Sequence, residues 1–217
     1  YYLNGSGAMA ANTWIGSSYV NSSGAWVPDH LRVSAGWVQS GSRWWYRHQD
    51  GSYTTNGWEY INGQWYYFDQ SGWMVTGWLK LGNTWYYLTG SGAMAKGWKN
   101  IGGTWYYLNG SGAMKTGWLK SGKIWYYFKG SGAMAEGWQK VSGTWYYLNP
   151  GSGAMKTGWL KPGKTWYYLS GSGAMRTGWQ KIGGTWYYFR SSGAMVADEV
   201  ITIGGKTYCF SASGAWV

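Results

Sequence analysis

The sequence is poor in the residues that usually build a protein core. Its 217 residues include one cysteine, three prolines and seven acidic side chains, and leucine, isoleucine and valine are few. The single Cys209 excludes an intrachain disulfide, and no apolar run reaches membrane-spanning length. The 38 glycines leave no stretch with a helical pattern, so helices are not expected. Because the chain carries 21 tryptophans and 21 tyrosines, aromatic packing must supply the cohesion that aliphatic side chains do not.

These aromatic residues recur in a unit of 20 or 21 residues with the pattern G-W-x6-W-Y-Y-[LF]-x-G-S-G-A-M. The first tryptophan of each unit follows a glycine, at Trp37, Trp58, Trp78, Trp98, Trp118, Trp138, Trp159 and Trp179. The second tryptophan stands at Trp44, Trp65, Trp85, Trp105, Trp125, Trp145, Trp166 and Trp186. A fixed period of this length predicts a solenoid, in which each unit packs mainly against its neighbours.

Each unit reads as a β-hairpin followed by a glycine-rich loop. In the unit that starts at Gly97, Gly102-Gly103 predicts a two-residue turn with positive φ. That turn pairs Ile101 with Thr104, Asn100 with Trp105, Lys99 with Tyr106 and Trp98 with Tyr107. Strand alternation then places Trp98, Trp105 and Tyr107 on one face and Ile101, Tyr106 and Leu108 on the other. The predicted fold is an all-β hairpin repeat solenoid.

The two ends of the chain depart from the repeat. Residues 1–35 contain partial, degenerate repeats, and residues 36–196 hold an array of eight units. Residues 197–217 are predicted to form a degenerate cap, in which Asp198-Glu199 takes the place of Gly-Trp and Thr207-Tyr208-Cys209-Phe210 takes the place of Trp-Tyr-Tyr-Phe. Terminal units of solenoids are expected to be atypical. The chain opens on the second half of a repeat, which suggests a fragment of a longer array.

Basic residues exceed acidic ones by 18 to 7. They recur after the Gly-Trp pair, at Lys80, Lys99, Lys120, Lys140, Lys161 and Lys181, and after the methionine, at Lys115, Lys156 and Arg176. A regular basic stripe favours a polyanionic partner. It is equally consistent with a solvated face that keeps an aromatic-rich protein soluble.

Two tryptophans and a tyrosine on adjoining hairpins would form an aromatic box at each junction. Electron-rich ring faces attract a quaternary ammonium ion, whose charge is spread over methyl groups. The methionine of each loop is a candidate to close one wall, and the candidates are Met94, Met114, Met134, Met155 and Met175. The same rings could instead be packing residues alone, or a ladder on which sugar rings stack. The residue pattern does not separate these three interpretations.

The unit from Gly97 to Met114 resembles the choline-binding, or cell-wall-binding, repeats of pneumococcal surface proteins and autolysins, and the resemblance extends over nearly the whole chain. It implies a hairpin solenoid that binds choline or phosphocholine through two tryptophans of one hairpin and a tyrosine of the next. The sites implied by position are Trp37, Trp44 and Tyr67; Trp58, Trp65 and Tyr87; Trp78, Trp85 and Tyr107; Trp98, Trp105 and Tyr127; Trp118, Trp125 and Tyr147; Trp138, Trp145 and Tyr168; and Trp159, Trp166 and Tyr188. The first of these sites lies beside Trp45, Tyr46, Arg47 and His48, which depart from the motif. A site at Trp179 and Trp186 is in doubt, because Cys209 stands where its tyrosine would be.

The resemblance further implies a secreted protein at the bacterial cell surface that binds choline-decorated teichoic and lipoteichoic acids. It rationalises the basic stripe, because each choline of such polymers lies near a phosphate. A larger surface protein or wall hydrolase is expected as the context, and the terminal repeats are candidates for a homodimer contact. Neither nucleic acid nor membrane insertion is expected. A glucan-binding repeat module is the alternative.

Catalysis by this chain is not expected, and neither a cofactor nor a metal is implied. The seven acids are Asp29, Asp50, Glu59, Asp69, Glu136, Asp198 and Glu199. Glycoside hydrolysis requires two carboxylates that face each other across a cleft, whereas these acids are scattered over different repeats. The two histidines, His30 and His48, have no cysteine or acidic cluster at metal-ligand spacing and are interpreted as surface residues.

Overall fold

The computed structural model describes residues 2–28 and 33–217. Within these residues the secondary structure consists of short strands joined by turns, without a helix. The strands before the regular array are β1 (Thr13–Ile15), β2 (Ser18–Val20) and β3 (Trp26–Val27). The strands of the array are β4 (Gly36–Ser40), β5 (Arg43–Arg47), β6 (Gly57–Ile61), β7 (Gln64–Phe68), β8 (Gly77–Leu81), β9 (Thr84–Leu88), β10 (Gly97–Ile101), β11 (Thr104–Leu108), β12 (Gly117–Ser121), β13 (Ile124–Phe128), β14 (Gly137–Val141), β15 (Thr144–Leu148), β16 (Gly158–Leu160), β17 (Tyr167–Leu169), β18 (Gly178–Ile182) and β19 (Thr185–Phe189). Two further strands, β20 (Glu199–Ile203) and β21 (Lys206–Phe210), follow the array.

The strands pair with their neighbours in sequence. Strands β1 to β3 form one three-stranded sheet, and each later pair from β4–β5 to β20–β21 forms a two-stranded sheet. The predicted register is confirmed in β10–β11, where Trp98 pairs with Tyr107 and Ile101 with Thr104. Its turn glycines, Gly102 and Gly103, have φ values of 59° and 81°. These values belong to the left-handed region that a two-residue hairpin turn requires, and glycine adopts it without steric cost.

The chain divides into two compact units. One comprises residues 1–79 and 88–94, and the other comprises residues 80–87 and 95–217. Within the second unit, successive hairpins pack through opposite faces. Trp98 of β10 contacts Tyr126 and Phe128 of β13, with ring centroids 4.7 and 5.5 Å apart. The face that carries the tryptophans therefore meets the opposite face of the next hairpin, as a repeat solenoid requires.

In each hairpin from β6–β7 to β18–β19, the second strand ends on a fully buried leucine or phenylalanine. These residues, each 0% exposed, are Phe68, Leu88, Leu108, Phe128, Leu148, Leu169 and Phe189. Most of the second tryptophans, in contrast, expose about two fifths of their surface, as Trp105 and Trp125 do at 40% each. The aromatic rings thus supply packing area while they keep one surface available to solvent.

The loop after each hairpin returns to the hairpin before it. In the second unit, Met134 forms a bridge with Phe128, and its backbone N–H donates to the carbonyl oxygen of Trp105 at 2.8 Å. Its sulfur lies against Gly153 of the following loop, where any Cβ would overlap the thioether. One methionine therefore links three successive repeats, because the glycine opposite it has no side chain.

The C-terminal hairpin corrects one detail of the sequence alignment. Glu199 pairs with Phe210 and Val200 with Cys209, in the same way that Gly178 pairs with Phe189 and Trp179 with Tyr188. Glu199-Val200 therefore takes the place of Gly-Trp, one residue later than the predicted Asp198-Glu199. Neither a glycine nor a tryptophan marks this position, so the motif alone did not reveal the shift.

Candidate functional site

The paired tryptophans of one hairpin stand beside a tyrosine of the next, and the structure identifies which tyrosine this is. Trp98 and Trp105 lie nearly perpendicular, with ring centroids 6.4 Å apart. Tyr126 approaches Trp98 to 4.7 Å, and Met134 closes the fourth side. A cavity of about 250 Å³ is lined by these four side chains and by Gly151 and Ser152 of the next loop. We call this set the Trp98 cage and name the other cages by their first tryptophan.

The same arrangement recurs along the second unit. In the Trp118 cage, Trp125 lies 6.3 Å and Tyr146 lies 4.8 Å from Trp118. Met155, Gly171 and Ser172 complete the lining of its cavity, which is about 330 Å³. The Trp138 cage has Trp145 at 6.3 Å and Tyr167 at 4.9 Å, and the Trp159 cage has Trp166 at 6.0 Å and Tyr187 at 4.9 Å. The N–H groups of Met175 and Met195 donate to the carbonyl oxygens of Trp145 and Trp166, at 2.9 and 2.8 Å.

A comparable arrangement stands at Trp37 in the first unit. Trp37 contacts Tyr66 at 4.8 Å, and the N–H of Met74 donates to the carbonyl oxygen of Trp44 at 2.7 Å. Within this unit, the N–H of Met94 likewise donates to the carbonyl oxygen of Trp65 at 2.8 Å. Within the second unit, the N–H of Met114 donates to the carbonyl oxygen of Trp85, also at 2.8 Å. Two predicted sites combine residues of both units, and they stay predictions. They are Trp58, Trp65 and Tyr87, and Trp78, Trp85 and Tyr107.

The tyrosine at each described junction is the first of the Tyr-Tyr pair, whereas the family resemblance implied the second. The second tyrosine packs against the first tryptophan of its own hairpin, its partner across the strands. These pairs, with centroid distances of 5.0 to 5.4 Å, are Trp58–Tyr67, Trp98–Tyr107, Trp118–Tyr127, Trp138–Tyr147, Trp159–Tyr168 and Trp179–Tyr188. Strand alternation contained the signal, because it placed Tyr106 on the face opposite Trp98.

The C-terminal hairpin completes an arrangement that the sequence had left in doubt. Tyr208, and not Cys209, faces Trp179, with ring centroids 4.9 Å apart. Trp216 stands where other cages have methionine, 5.8 Å from both Trp179 and Tyr208. Its N–H donates to the carbonyl oxygen of Trp186 at 2.9 Å. The Trp179 cage therefore has four aromatic walls, and residues 197–217 contribute two of them.

Lysines stand beside several second tryptophans. Lys120 is the cross-strand partner of Trp125, and its Nζ lies 5.8 Å from the centre of that ring. The same contact, at 5.2 to 6.0 Å, joins Lys80 to Trp85, Lys140 to Trp145, Lys161 to Trp166 and Lys181 to Trp186. Lys99 is placed differently, since it pairs with Tyr106. Five of the nine basic residues in the stripe therefore lie beside the second tryptophan of a repeat.

His48 lies among polar and acidic side chains of the first unit. His48 Nε2 lies 2.9 Å from Glu59 Oε1, and its Nδ1 lies 2.8 Å from the hydroxyl of Ser52. The hydroxyl and N–H of Ser52 donate to the Asp50 carboxylate and lower the pKa of that carboxyl group. Within the described residues no group of three His, Cys, Asp or Glu side chains could hold a metal ion. Asp29 and His30 lie outside the described residues.

Comparison with known protein families decides what these repeats are. A family model described as a choline-binding repeat matches residues 55–97, 95–136, 116–157, 135–177 and 176–217, and a second model of the same description matches residues 1–26. The chain belongs to the choline-binding repeat family. Such repeats bind choline-containing cell-wall components, and they are generally noncatalytic. Proteins that carry them are associated with the cell surface.

Solved structures agree with this assignment. The chain is 36% identical to CbpJ from Streptococcus pneumoniae, with a TM-score of 0.75, over 92% of this chain and 75% of that one. Choline binding protein F of the same organism, solved with a peptidoglycan analogue, is 35% identical, with a TM-score of 0.71 and the same coverage. The choline-binding domain of pneumococcal CbpL is 33% identical, with a TM-score of 0.62, over 85% of this chain and 98% of the domain. A search of curated proteins gave no match.

The all-β hairpin repeat solenoid predicted from the sequence is confirmed by these relatives and by the hairpins described above. The described part of the chain holds no helix with the length and apolar character that a membrane span requires.

Proposed function

We propose that this chain is a noncatalytic module that attaches a bacterial protein to the cell wall by binding choline residues of teichoic and lipoteichoic acids. The observation that carries the proposal is the repeated cage of two tryptophans, a tyrosine and a methionine. In the second unit, five cages place the tryptophan rings 6.0 to 6.4 Å apart and the tyrosine 4.7 to 4.9 Å from the first tryptophan.

The chemistry of a cage suits a trimethylammonium group. Such a group donates no conventional hydrogen bond and has a diffuse charge. Its transfer out of water therefore costs little hydration free energy. Perpendicular rings present their negative faces to one cavity, and each cation–π contact contributes roughly 0.5–2 kcal/mol. The exposed surface of the second tryptophan, 40% at Trp105, provides an entrance. The methionine sulfur offers a polarizable apolar wall.

The lysines beside the second tryptophans would favour a choline-bearing anionic polymer over free choline. In teichoic acids, each choline is joined to a phosphate. Lys120, Lys140, Lys161 and Lys181 lie within 6.0 Å of a cage ring, where they can pair with that phosphate while the cage holds the ammonium. We therefore assign the basic stripe to the anionic polymer and not to solubility alone.

Successive cages allow one polymer to occupy several sites. Linked weak sites can exceed the affinity of one site by roughly 10²–10⁴-fold. The array of residues 36–196 would act as the anchoring element, and residues 197–217 would close its last cage. We further propose that the protein is secreted, that it works at the cell surface within a larger surface protein or wall hydrolase, and that a homodimer forms through the terminal repeats.

Chromatography on a resin that carries a choline analogue tests this function. Because the chain has a formal net charge of +11, charge alone would keep it off a cationic resin. We expect retention, elution by free choline, and no elution by sodium chloride at equal ionic strength. A module that passes through this resin but is retained on an α-glucan resin would instead be a glucan-binding module, and the proposal would be wrong.

A further inference from the structure

One aromatic cavity in the first unit contains no Gly-Trp pair. Trp45, Tyr53 and Trp73 form its walls, with Ser71 and Gly72 beside them. Its volume is about 210 Å³, close to the 250 Å³ of the Trp98 cage. The rings of Trp45 and Tyr53 lie 5.4 Å apart at an interplanar angle of 72°. Size and ring arrangement thus resemble those of a repeat cage, although the residues differ.

Two of the walls occupy the tyrosine and methionine positions of a repeat cage. Trp45 pairs with Val38 in the hairpin register, as Tyr126 pairs with Leu119. Tyr53 follows a loop in which the N–H of His48 donates to the carbonyl oxygen of Ser52 at 2.8 Å. The corresponding bond before Met134, from Lys129 to Ala133, is 2.9 Å.

The packing of Tyr53 completes the correspondence. Its ring lies on Gly72 so closely that a Cβ there would overlap it, just as the sulfur of Met134 lies on Gly153. Trp45 and Tyr53 therefore take the places of the tyrosine and the methionine.

The third wall, Trp73, occupies a position that is alanine in other repeats. Trp73 directly precedes Met74, and the equivalent residues in other loops are Ala93, Ala113, Ala133, Ala154, Ala174 and Ala194. The repeat thus tolerates alanine here, and tryptophan adds a large ring face next to Trp45 and Tyr53. Three aromatic walls make a cage for a quaternary ammonium ion without a Gly-Trp pair.

A fixed positive charge stands beside this cavity. The guanidinium carbon of Arg43 lies 5.6 Å from the centre of the Trp73 ring. The equivalent residue in most other repeats is threonine, as at Thr84, Thr104, Thr144, Thr165 and Thr185. Arginine at this place disfavours a bare cation and favours a ligand that carries an anionic oxygen group near its ammonium, because guanidinium pairs well with phosphate.

We propose that Trp45, Tyr53, Trp73 and Arg43 form an additional site that takes a phosphocholine-type zwitterion in preference to free choline. The proposal shares its cation chemistry with the function proposed above, but it uses none of the residues assigned to the repeat cages. The aromatic walls hold the ammonium, and Arg43 pairs with the phosphate.

Fluorine NMR of the full chain labelled with 5-fluorotryptophan resolves this site from the others. The Trp73 signal is identified by its loss in Trp73→Ala, and the Trp105 signal by its loss in Trp105→Phe. On titration with phosphocholine we expect the Trp73 signal to shift at concentrations roughly 2- to 5-fold lower than with choline, the range for an exposed ion pair. Trp105 reports a repeat cage in the same sample.

Two variants that introduce residues found at the equivalent positions of other repeats supply matched controls. Arg43→Thr should abolish the preference for phosphocholine and leave the response of Trp73 to choline in place. Trp73→Ala should abolish the ligand-induced shift of Trp45 while Trp105 still responds.

The outcomes separate the two proposals. If Trp105 shifts but Trp45 and Trp73 do not, the additional site is wrong and the repeat cages stand. If Trp105 does not shift with either ligand, the proposed function fails, whereas a shift of Trp73 alone still supports the additional site. A Trp73 signal that responds to a neutral pyranose and not to phosphocholine overturns the proposal in favour of a sugar-stacking site.

Discussion

Tyr126 packs edge-on against Trp98 of the preceding hairpin, with ring centroids 4.7 Å apart and planes inclined by 67°. Its neighbour Tyr127 packs instead on Trp118 of its own hairpin, at 5.0 Å. Two adjacent tyrosines thus have different tasks, because successive side chains of a strand point to opposite faces. One forms a junction between repeats and the other supports the tryptophan of the next cage.

This difference predicts unlike effects of substitution on the Trp98 cage. Tyr126→Ala should remove that cage's response to choline, whereas Tyr126→Phe should keep it, because the ring and not the hydroxyl forms the wall. Fluorine NMR of labelled Trp105 measures the response of this cage directly. Tyr127→Ala is the matched control and should leave the shift of Trp105 in place. Loss of the response in Tyr127→Ala but not in Tyr126→Ala would reverse the assignment.

The burial of the side chains predicts a separation of stability from binding. Leu108 is 0% exposed and Trp105 is 40% exposed. Leu108→Ala should lower the free energy of unfolding by about 2–5 kcal/mol, since it leaves a cavity. Trp105→Ala should cost less stability and abolish choline binding at its own cage. Urea unfolding followed by circular dichroism measures the stability, and fluorine NMR titration of labelled Trp98 measures choline binding at this cage. Equal stability losses in the two variants would contradict this division of roles.

The terminal cage predicts that residues 197–217 are needed for binding. The sequence alone left a site at Trp179 and Trp186 in doubt, whereas the positions of Tyr208 and Trp216 lead us to expect one. Trp216→Ala should abolish the choline response of labelled Trp186. Trp216→Met should keep it, since methionine fills this place in the other cages. If Trp186 responds normally in Trp216→Ala, the fourth wall has no part in binding.

The lysines predict a ligand-dependent effect of charge. Replacement of Lys120, Lys140, Lys161 and Lys181 by glutamine should weaken binding to a choline-bearing teichoic acid and leave free choline affinity nearly unchanged. Each pair with a phosphate is exposed and contributes roughly 0.2–1 kcal/mol, so the loss on a polymer accumulates over the sites it occupies. Surface plasmon resonance at two salt concentrations measures it. Lys99→Gln is the control, because Lys99 pairs with Tyr106. An equal loss for free choline would refute the pairing with phosphate.

Much of the architecture could be predicted from the sequence, because its determinants are local. The period of the Gly-Trp pairs defines the repeats, and Gly102-Gly103 permits the positive φ that specifies both the turn and the register of β10–β11. Hairpin pairing depends on the nearest residues of the chain, so a single repeat contains the information. The choline-binding family followed from the same motif.

The composition of each cage depended on how one hairpin stacks on the next. Whether Tyr126 or Tyr127 meets Trp98 is decided by which faces are opposed, and the fully buried Phe128 anchors that packing beside Trp98. Trp216 joins Trp179 only because the last loop folds back to the preceding hairpin through its bond to Trp186. Local pattern therefore determined the strands and turns of this protein, while contacts between residues about 20 to 40 positions apart decided which side chains share a cage.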